Sequence, residues 1–172
     1  SVLIDNEGKK LVSVIDITES RNAEKELRES EYLLNESQKI AELGSYSLDF
    51  ETGLWNNSAM LNVLFGINEN YKKDINGWLA LVHPKDRKQL QTYFETNIVK
   101  NNEFFNREYR IVRANDSAER WVHGLGKLQF DEKGNLLKMI GTIQDITNRK
   151  EAENQIFIAN EKIEKSEKKF RE

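Results

Sequence analysis

Apolar and polar residues alternate at both ends of the central region, and flanking stretches repeat apolar or small residues every three or four positions. At the start, S-V-L-I and K-L-V-S-V-I-D-I are β-branched and apolar on either side of D-N-E-G, a turn sequence. Residues 1–18 are therefore expected as a hairpin. So short a segment buries no core alone, so it should complete some neighbouring domain. Residues 19–43 predict a helix. Ala23, Leu27, Ser30, Leu34, Ser37 and Ala41 recur at spacings 4-3-4-3-4, a heptad seam thinned by small residues. Such a helix wants a partner, because a narrow apolar face stabilises it little.

The middle of the chain has a globular pattern. G-S-Y-S-L-D-F (44–50) and G-L-W-N-N-S (53–58) read as short strands around E-T-G. S-A-M-L-N-V-L-F-G (58–66) reads as a helix, with Ser58 as N-cap and Gly66 as its stop. I-N-G-W-L-A-L-V (75–82) predicts another. The run from His83 to Val99 predicts a longer one, with Pro84 in its first turn and Leu90, Phe94 and Ile98 on one stripe. Three strands follow, in 104–113, 119–130 and 136–146, separated by A-N-D-S-A and D-E-K-G-N. Strands and helices segregated in this order predict an α+β domain with an antiparallel sheet. In the hairpin of 104–130 Arg110 is expected opposite His123, and Val112 opposite Trp121. Residues 148–172 return to a heptad, with Ala152, Ile156, Ala159, Ile163, Ser166 and Phe170 at 4-3-4-3-4.

One junction occurs twice. D-I-T closes the strands at 16–18 and 145–147, an offset of 129 that also carries Ala23 onto Ala152, Glu24 onto Glu153 and Leu27 onto Ile156. S-E-Y-L-L-N-E (30–36) matches S-E-K-K-F-R-E (166–172) at an offset of 136, one heptad more. Adding a whole heptad keeps the seam in phase. The repeat implies a tandem array of domain, helix, domain, helix. The copies are not identical: from turn glycine to aspartate is 8 residues in the first (Gly8 to Asp16) and 11 in the second (Gly134 to Asp145).

Composition narrows the function classes. The 172 residues include 26 basic and 29 acidic ones, a net charge of −3, so no basic excess points to nucleic acid. There is no cysteine, which removes disulfides, thiolate metal sites and cysteine-linked cofactors and fits a reducing, cytoplasmic setting. No apolar run approaches the roughly 20 residues that span a bilayer, so no membrane contact is expected. The absence of an initial methionine reads as a fragment of a longer chain. No P-loop, zinc H-E-x-x-H, G-x-S-x-G or kinase phosphate-binding motif is present, so no catalytic residue is assigned. Neither histidine lies on a heptad helix, where a phospho-accepting histidine would be expected.

Four segments together carry a family resemblance: S-Q-K-I-A-E-L-G-S-Y-S-L-D-F-E-T-G-L-W-N-N-S-A-M-L-N-V-L-F-G-I, the H-P-K-D-R helix start, E-Y-R-I-V-R-A-N-D-S-A-E-R-W-V-H-G-L-G and G-T-I-Q-D-I-T-N-R-K-E-A-E. In this order they resemble a PAS domain over about residues 36–150, near the bacterial sensor subtype called PAS fold type 3. The resemblance implies a five-stranded antiparallel sheet with short helices on one face, here flanked by N- and C-terminal helices of coiled-coil type. It divides the chain into 1–18, the terminal hairpin of a preceding PAS domain; 19–43, a linker helix; 44–147, the PAS domain; and 148–172, a signalling helix leading to a next module. It also implies a signal-sensing or relay module of a multidomain sensor, foremost a two-component histidine kinase with its catalytic domains elsewhere. The alternatives are a ligand-free dimerisation spacer and a module of a cyclic-dinucleotide enzyme. The partners so implied are a second copy, joined through the helices, and neighbouring PAS or kinase domains.

Candidate site residues follow from both readings. Asp145, Ile146 and Thr147 form the signalling junction, with Thr147 as N-cap of the exit helix. Ala152, Ile156, Ala159, Ile163 and Phe170 form the dimer seam. In PAS domains the pocket lies between sheet and helices, and Trp55, Met60, Leu64, Leu90, Phe94, Tyr109 and Ile143 are the candidates to line it, more simply read as core. Gly124 and Gly126 leave room for a ligand or a helix to approach the sheet. Flavin-binding LOV domains need the cysteine of G-x-N-C-R-F-L-Q, which is missing, and Ile143 stands where their last strand carries glutamine. Haem-binding members need a histidine on the long helix, and 85–100 contains none. Flavin and haem are thus disfavoured, and a small carboxylate, an apolar metabolite or no ligand stays open. No metal site is expected: His83 reads as a helix start and His123 as part of a packed strand face.

Overall fold

The computed structural model describes the backbone of residues 2–4, 10–12 and 17–171, and the side chains of residues 17–166. The D-N-E-G turn, Asp16 and the Phe170 side chain lie outside the described residues. The chain forms two units, residues 1–37 and 38–172. The first holds strands β1 (Val2–Ile4) and β2 (Lys10–Val12), antiparallel with Val2 opposite Val12, and most of helix α1 (Thr18–Ile40). No residue of α1 is buried, as its thin seam and charged faces lead one to expect.

The second unit is an α+β domain. Its elements are β3 (Leu43–Asp49), β4 (Trp55–Asn57), α2 (Ala59–Phe65), α3 (Ile75–Leu81), α4 (Pro84–Tyr93), a π-helical segment (Phe94–Lys100), β5 (Phe105–Val112), β6 (Glu119–Phe130), β7 (Leu136–Asp145) and α5 (Thr147–Arg171). The five strands pair antiparallel in the order β4-β3-β7-β6-β5. Alternate residues Leu48, Phe105, Tyr109, Ile111, Val122, Met139 and Ile143 face the helices. They form one core with Leu61, Leu64, Phe65, Leu81, Leu90, Phe94 and Ile98. The last strand is thus central in the sheet, and α5 leaves directly from it.

The helix starts differ in chemistry. Asp74 caps α3 by accepting from the Gly77 N–H at 2.7 Å. His83 caps α4, its Nδ1 accepting from the Lys85 N–H at 3.2 Å, ahead of Pro84 in the first turn. Ser58 precedes α2 without capping it; its hydroxyl accepts instead from the Ser45 N–H of β3 at 3.1 Å. Gly66 ends α2 in the left-handed conformation, φ 65°. The single helix expected after His83 changes to π-helical winding at Phe94. Leu90, Phe94 and Ile98 recur every four residues, which drifts about 40° per step around an α-helix. The wider winding helps keep Phe94 and Ile98 inward, 8% and 0% exposed.

The β5–β6 register differs from expectation by two residues. Arg110 faces Trp121, Glu108 faces His123, and Val112 faces Glu119. The connecting loop is centred between Asn115 and Asp116, not at 116–117. Ser117 takes φ 58° and donates to the Arg113 carbonyl at 3.0 Å, while Asp116 accepts from Arg113 and from the Ala118 N–H. An even slip leaves every side chain on its face. Glu108, Arg110, Val112, Trp121, His123 and Leu125 therefore still share the outer face.

Candidate functional site

A cavity of about 50 Å³ lies between sheet and helices. β3 supplies Tyr46 and Leu48, β4 Trp55, α2 Leu61 and Phe65, α3 Ile75 and Trp78, and the π-helical segment Phe94. Phe105 and Tyr109 come from β5, Met139 and Ile143 from β7. Trp55, Phe94, Tyr109 and Ile143 of the expected lining are here. Leu64 and Leu90 are buried core away from the cavity, and Met60 is partly exposed because α2 turns Leu61, Leu64 and Phe65 inward. Phe105 and Leu48 were legible from strand alternation with Tyr109 and Tyr46. Trp78 was not, since its neighbours in the wall come from two other elements, the π-helical segment and β5.

The wall is aromatic and held by its own hydrogen bonds. Trp78 packs on Phe94, Phe105 and Tyr109 with ring centroids 5.6, 6.3 and 6.2 Å away. The last two are edge-on, a geometry worth about 0.5–1.5 kcal/mol beyond burial. Trp78 Nε1 donates to the Tyr109 hydroxyl at 3.2 Å, Trp55 Nε1 to the Asp74 carbonyl at 3.0 Å, and the Tyr46 hydroxyl to the Leu125 carbonyl at 3.1 Å. Burial pushes both phenols well above their ordinary value, so they stay neutral. The space is far smaller than the roughly 300–1,000 Å³ of drug-sized pockets.

The glycines of β6 admit side chains of the sheet itself. A Cβ on Gly124 would meet the Phe105 and Tyr109 rings at 2.8 and 3.3 Å. One on Gly126 would meet the Tyr46 hydroxyl at 2.5 Å and Met139 at 2.9 Å. Neither an approaching helix nor a ligand is what the gap accommodates. Among the described residues no group of three or more histidine, cysteine or carboxylate side chains could hold a metal ion. His83 lies 3.4 Å from Glu119, and His123 is hydrogen-bonded to Asn106 at 2.8 Å.

The exit of α5 is the second constellation. Ile143 lines the cavity, and two residues on the Asp145 carboxylate accepts from the Thr147 N–H at 2.8 Å. Ile146 donates its N–H to the Trp121 carbonyl at 2.9 Å, and the Thr147 hydroxyl accepts from the Trp121 N–H at 3.0 Å. The Ile146 carbonyl takes the first helical bond, from Lys150. Thr147 is therefore the first residue of α5 and not its N-cap; its hydroxyl is spent on β6, and Asp145 satisfies its N–H instead. Ile146 and Thr147 are both buried, 5% and 8% exposed.

One turn further on, Arg149 and Lys150 each reach Glu108 on β5 at 2.6 Å. The Lys150 ammonium also sits 5.4 Å from the centre of the Trp121 ring, which Arg110 approaches to 5.6 Å. Glu108 was missed as a site residue because its partners lie about 40 positions away. Arg110 is itself tied to Asp86 by a bidentate pair. The expected seam residues Ala152, Ile156, Ala159 and Ile163 are all exposed along α5.

Comparison with other proteins places this geometry in a family. Residues 59–143 match the family described as PAS fold. An uncharacterized protein of Sinorhizobium fredii, y4lL, is 34% identical over 87 residues, 51% of this chain and 10% of that protein. The methyl sulfide methyltransferase-associated sensor of Methanosarcina acetivorans is 26% identical over 178 aligned residues, 95% of this chain and 17% of that protein. The chain thus spans well under a fifth of the length of either relative. A solved sensory box histidine kinase/response regulator from Burkholderia thailandensis superposes with TM-score 0.63 at 20% identity, covering 77% of this chain and 98% of that one. With the matching segment set among the helices and strands of a five-stranded antiparallel sheet, this region of the chain is a PAS domain.

Proposed function

We propose that this chain is a signal-sensing and relay module of a multidomain sensor, specifically a two-component histidine kinase. In this reading residues 1–18 end a preceding PAS domain, α1 and α5 connect successive modules, and two copies associate through those helices. The parent's kinase domains lie elsewhere in it. The observation that carries the reading is the shortness of the path from cavity to exit. Ile143 touches the cavity, Asp145 holds the Thr147 N–H, and Thr147 begins α5. A change of packing at Ile143 has three residues to cross before it tilts a helix. The sensor and histidine kinase named among the relatives support the same class.

The test is amide hydrogen exchange in an Ile143→Ala variant. Exchange at Ile146, Thr147 and Lys150 is expected to accelerate more than at Asp49 and Trp55 in the β3–β4 hairpin. Equal acceleration at both sets would report general loosening and overturn the relay. A second reading, a ligand-free spacer that only dimerises its parent, is favoured by the small size of the cavity. Mass spectrometry of the denatured protein separates the two, because a spacer releases no stoichiometric small molecule.

A further inference from the structure

We infer that the open edge of β5 docks an extended, acidic peptide segment, which adds to the sheet as a further strand along Asn106 and Glu108. The inference goes beyond the relay and needs no ligand in the cavity. β5 ends the sheet and pairs on one side only, with β6. Along a strand the backbone groups of alternate residues point to the same side. Arg110 points outward: its carbonyl accepts from the His83 N–H at 2.9 Å, and its N–H donates to the Asp86 carboxylate at 3.1 Å. The Phe104 carbonyl points outward too and accepts from the Tyr93 hydroxyl at 3.3 Å. By the same alternation the N–H and C=O groups of Asn106 and Glu108 face outward, and no described residue bonds to them on that side. The edge is therefore closed at each end by α4 and its cap, and open between.

An open groove of about 790 Å³ separates this stretch from α4 and the π-helical segment. Donors and acceptors that alternate along a free edge are the template for strand addition, so the backbone selects an extended peptide. Charge selects which peptide. The two carboxylates lining the groove are already used, Asp86 on Arg110 and Glu108 on Arg149 and Lys150. Lys85, Lys88 and Arg107 also line it, are exposed, and have no carboxylate partner among the described residues. Arg107 lies over the Tyr93 ring at 3.9 Å, which keeps its guanidinium at the groove. Once the internal pairs are made, the groove is cationic. Its complement is a segment with carboxylates at alternate positions, since alternate side chains of a strand share one face.

The probes are a short blocked peptide of alternating threonine and glutamate and its threonine–lysine counterpart. Each is titrated into the full chain while backbone amide resonances are followed. The glutamate peptide is expected to shift the Asn106 and Glu108 amides to saturation and to slow their exchange with solvent. Lys88→Glu should weaken it about two- to tenfold, less so as salt is added. Asn106→Pro should abolish binding, because it removes an outward N–H while leaving the β5–β6 ladder its bonds. Unchanged Asp49 and Trp55 amides show that each variant is folded. Equal binding of the lysine peptide, shifts that fall elsewhere, or no saturation overturns the inference. So does a folded Asn106→Pro that binds as wild type does, since the groove would then hold anions without pairing a strand. The relay is judged separately by the Ile143→Ala exchange experiment, which needs no peptide.

Discussion

Glu108 concentrates the docking of α5 on a single carboxylate. Hydrogen bonds from Lys150 and then Arg149 hold its carboxyl at about 2, against an ordinary 4.5. A carboxyl lowered on folding stabilises the folded state fully above about 4.5, and that contribution is lost as pH falls through about 2. The side chain is a third exposed, so water and salt screen the pair. Glu108→Gln is expected to lower stability at neutral pH by less than about 1 kcal/mol in denaturant titration. The gap between variant and wild type should narrow below pH 4.5 and close near 2. A gap that stays constant with pH would show that the charge is not what binds the helix. Thr147 teaches a related lesson. Its type and place suggested a cap, but the Trp121 N–H claims its hydroxyl and Asp145 takes over its own N–H.

Among the elements, α5 exposes large apolar side chains along its length, as α1 does. Ile156 and Ile163 are 63% and 56% exposed, with Phe157 and Ile158 also exposed between them. Spacing of 4-3-4 along Ala152, Ile156, Ala159 and Ile163 is the pattern of a two-helix seam. Ile156→Glu or Ile163→Glu is expected to lower the mass measured by light scattering towards that of one chain. Because both positions are exposed in the single chain, the substitution leaves its fold intact, which circular dichroism checks. A wild type already monomeric at high concentration would remove the seam reading. The identity and order of the elements in the PAS unit were legible as local patterns. The π-helical winding after Tyr93 was hinted at only by the strict four-residue spacing of Leu90, Phe94 and Ile98. Three apolar residues at that interval still read as an ordinary helix until the sheet they cover is in place.

Over the whole molecule, every described buried hydrophobic residue lies between Leu48 and Ile146, and α1 buries none. A chain beginning at Gln38 should therefore unfold within about 4 °C of the full one in a thermal scan, a shift that corresponds to about 1 kcal/mol at this size. A larger drop would mean that residues 1–37 help to hold the domain. Periodicity of two and of three to four residues is a local property, so the composition of the strands, the face each residue takes and the doubled D-I-T junction could be read along the chain. Register, cavity and clamp could not, because each depends on residues that only folding brings together. Trp78 meets Tyr109 across 31 positions, Trp121 meets Thr147 across 26, and Glu108 meets Arg149 across 41. No pattern of hydrophobic and polar residues encodes which hydroxyl takes which partner or which loop residue centres a turn. Those outcomes follow from competition among hydrogen-bonding groups inside a closed core, where each partner can be used only once.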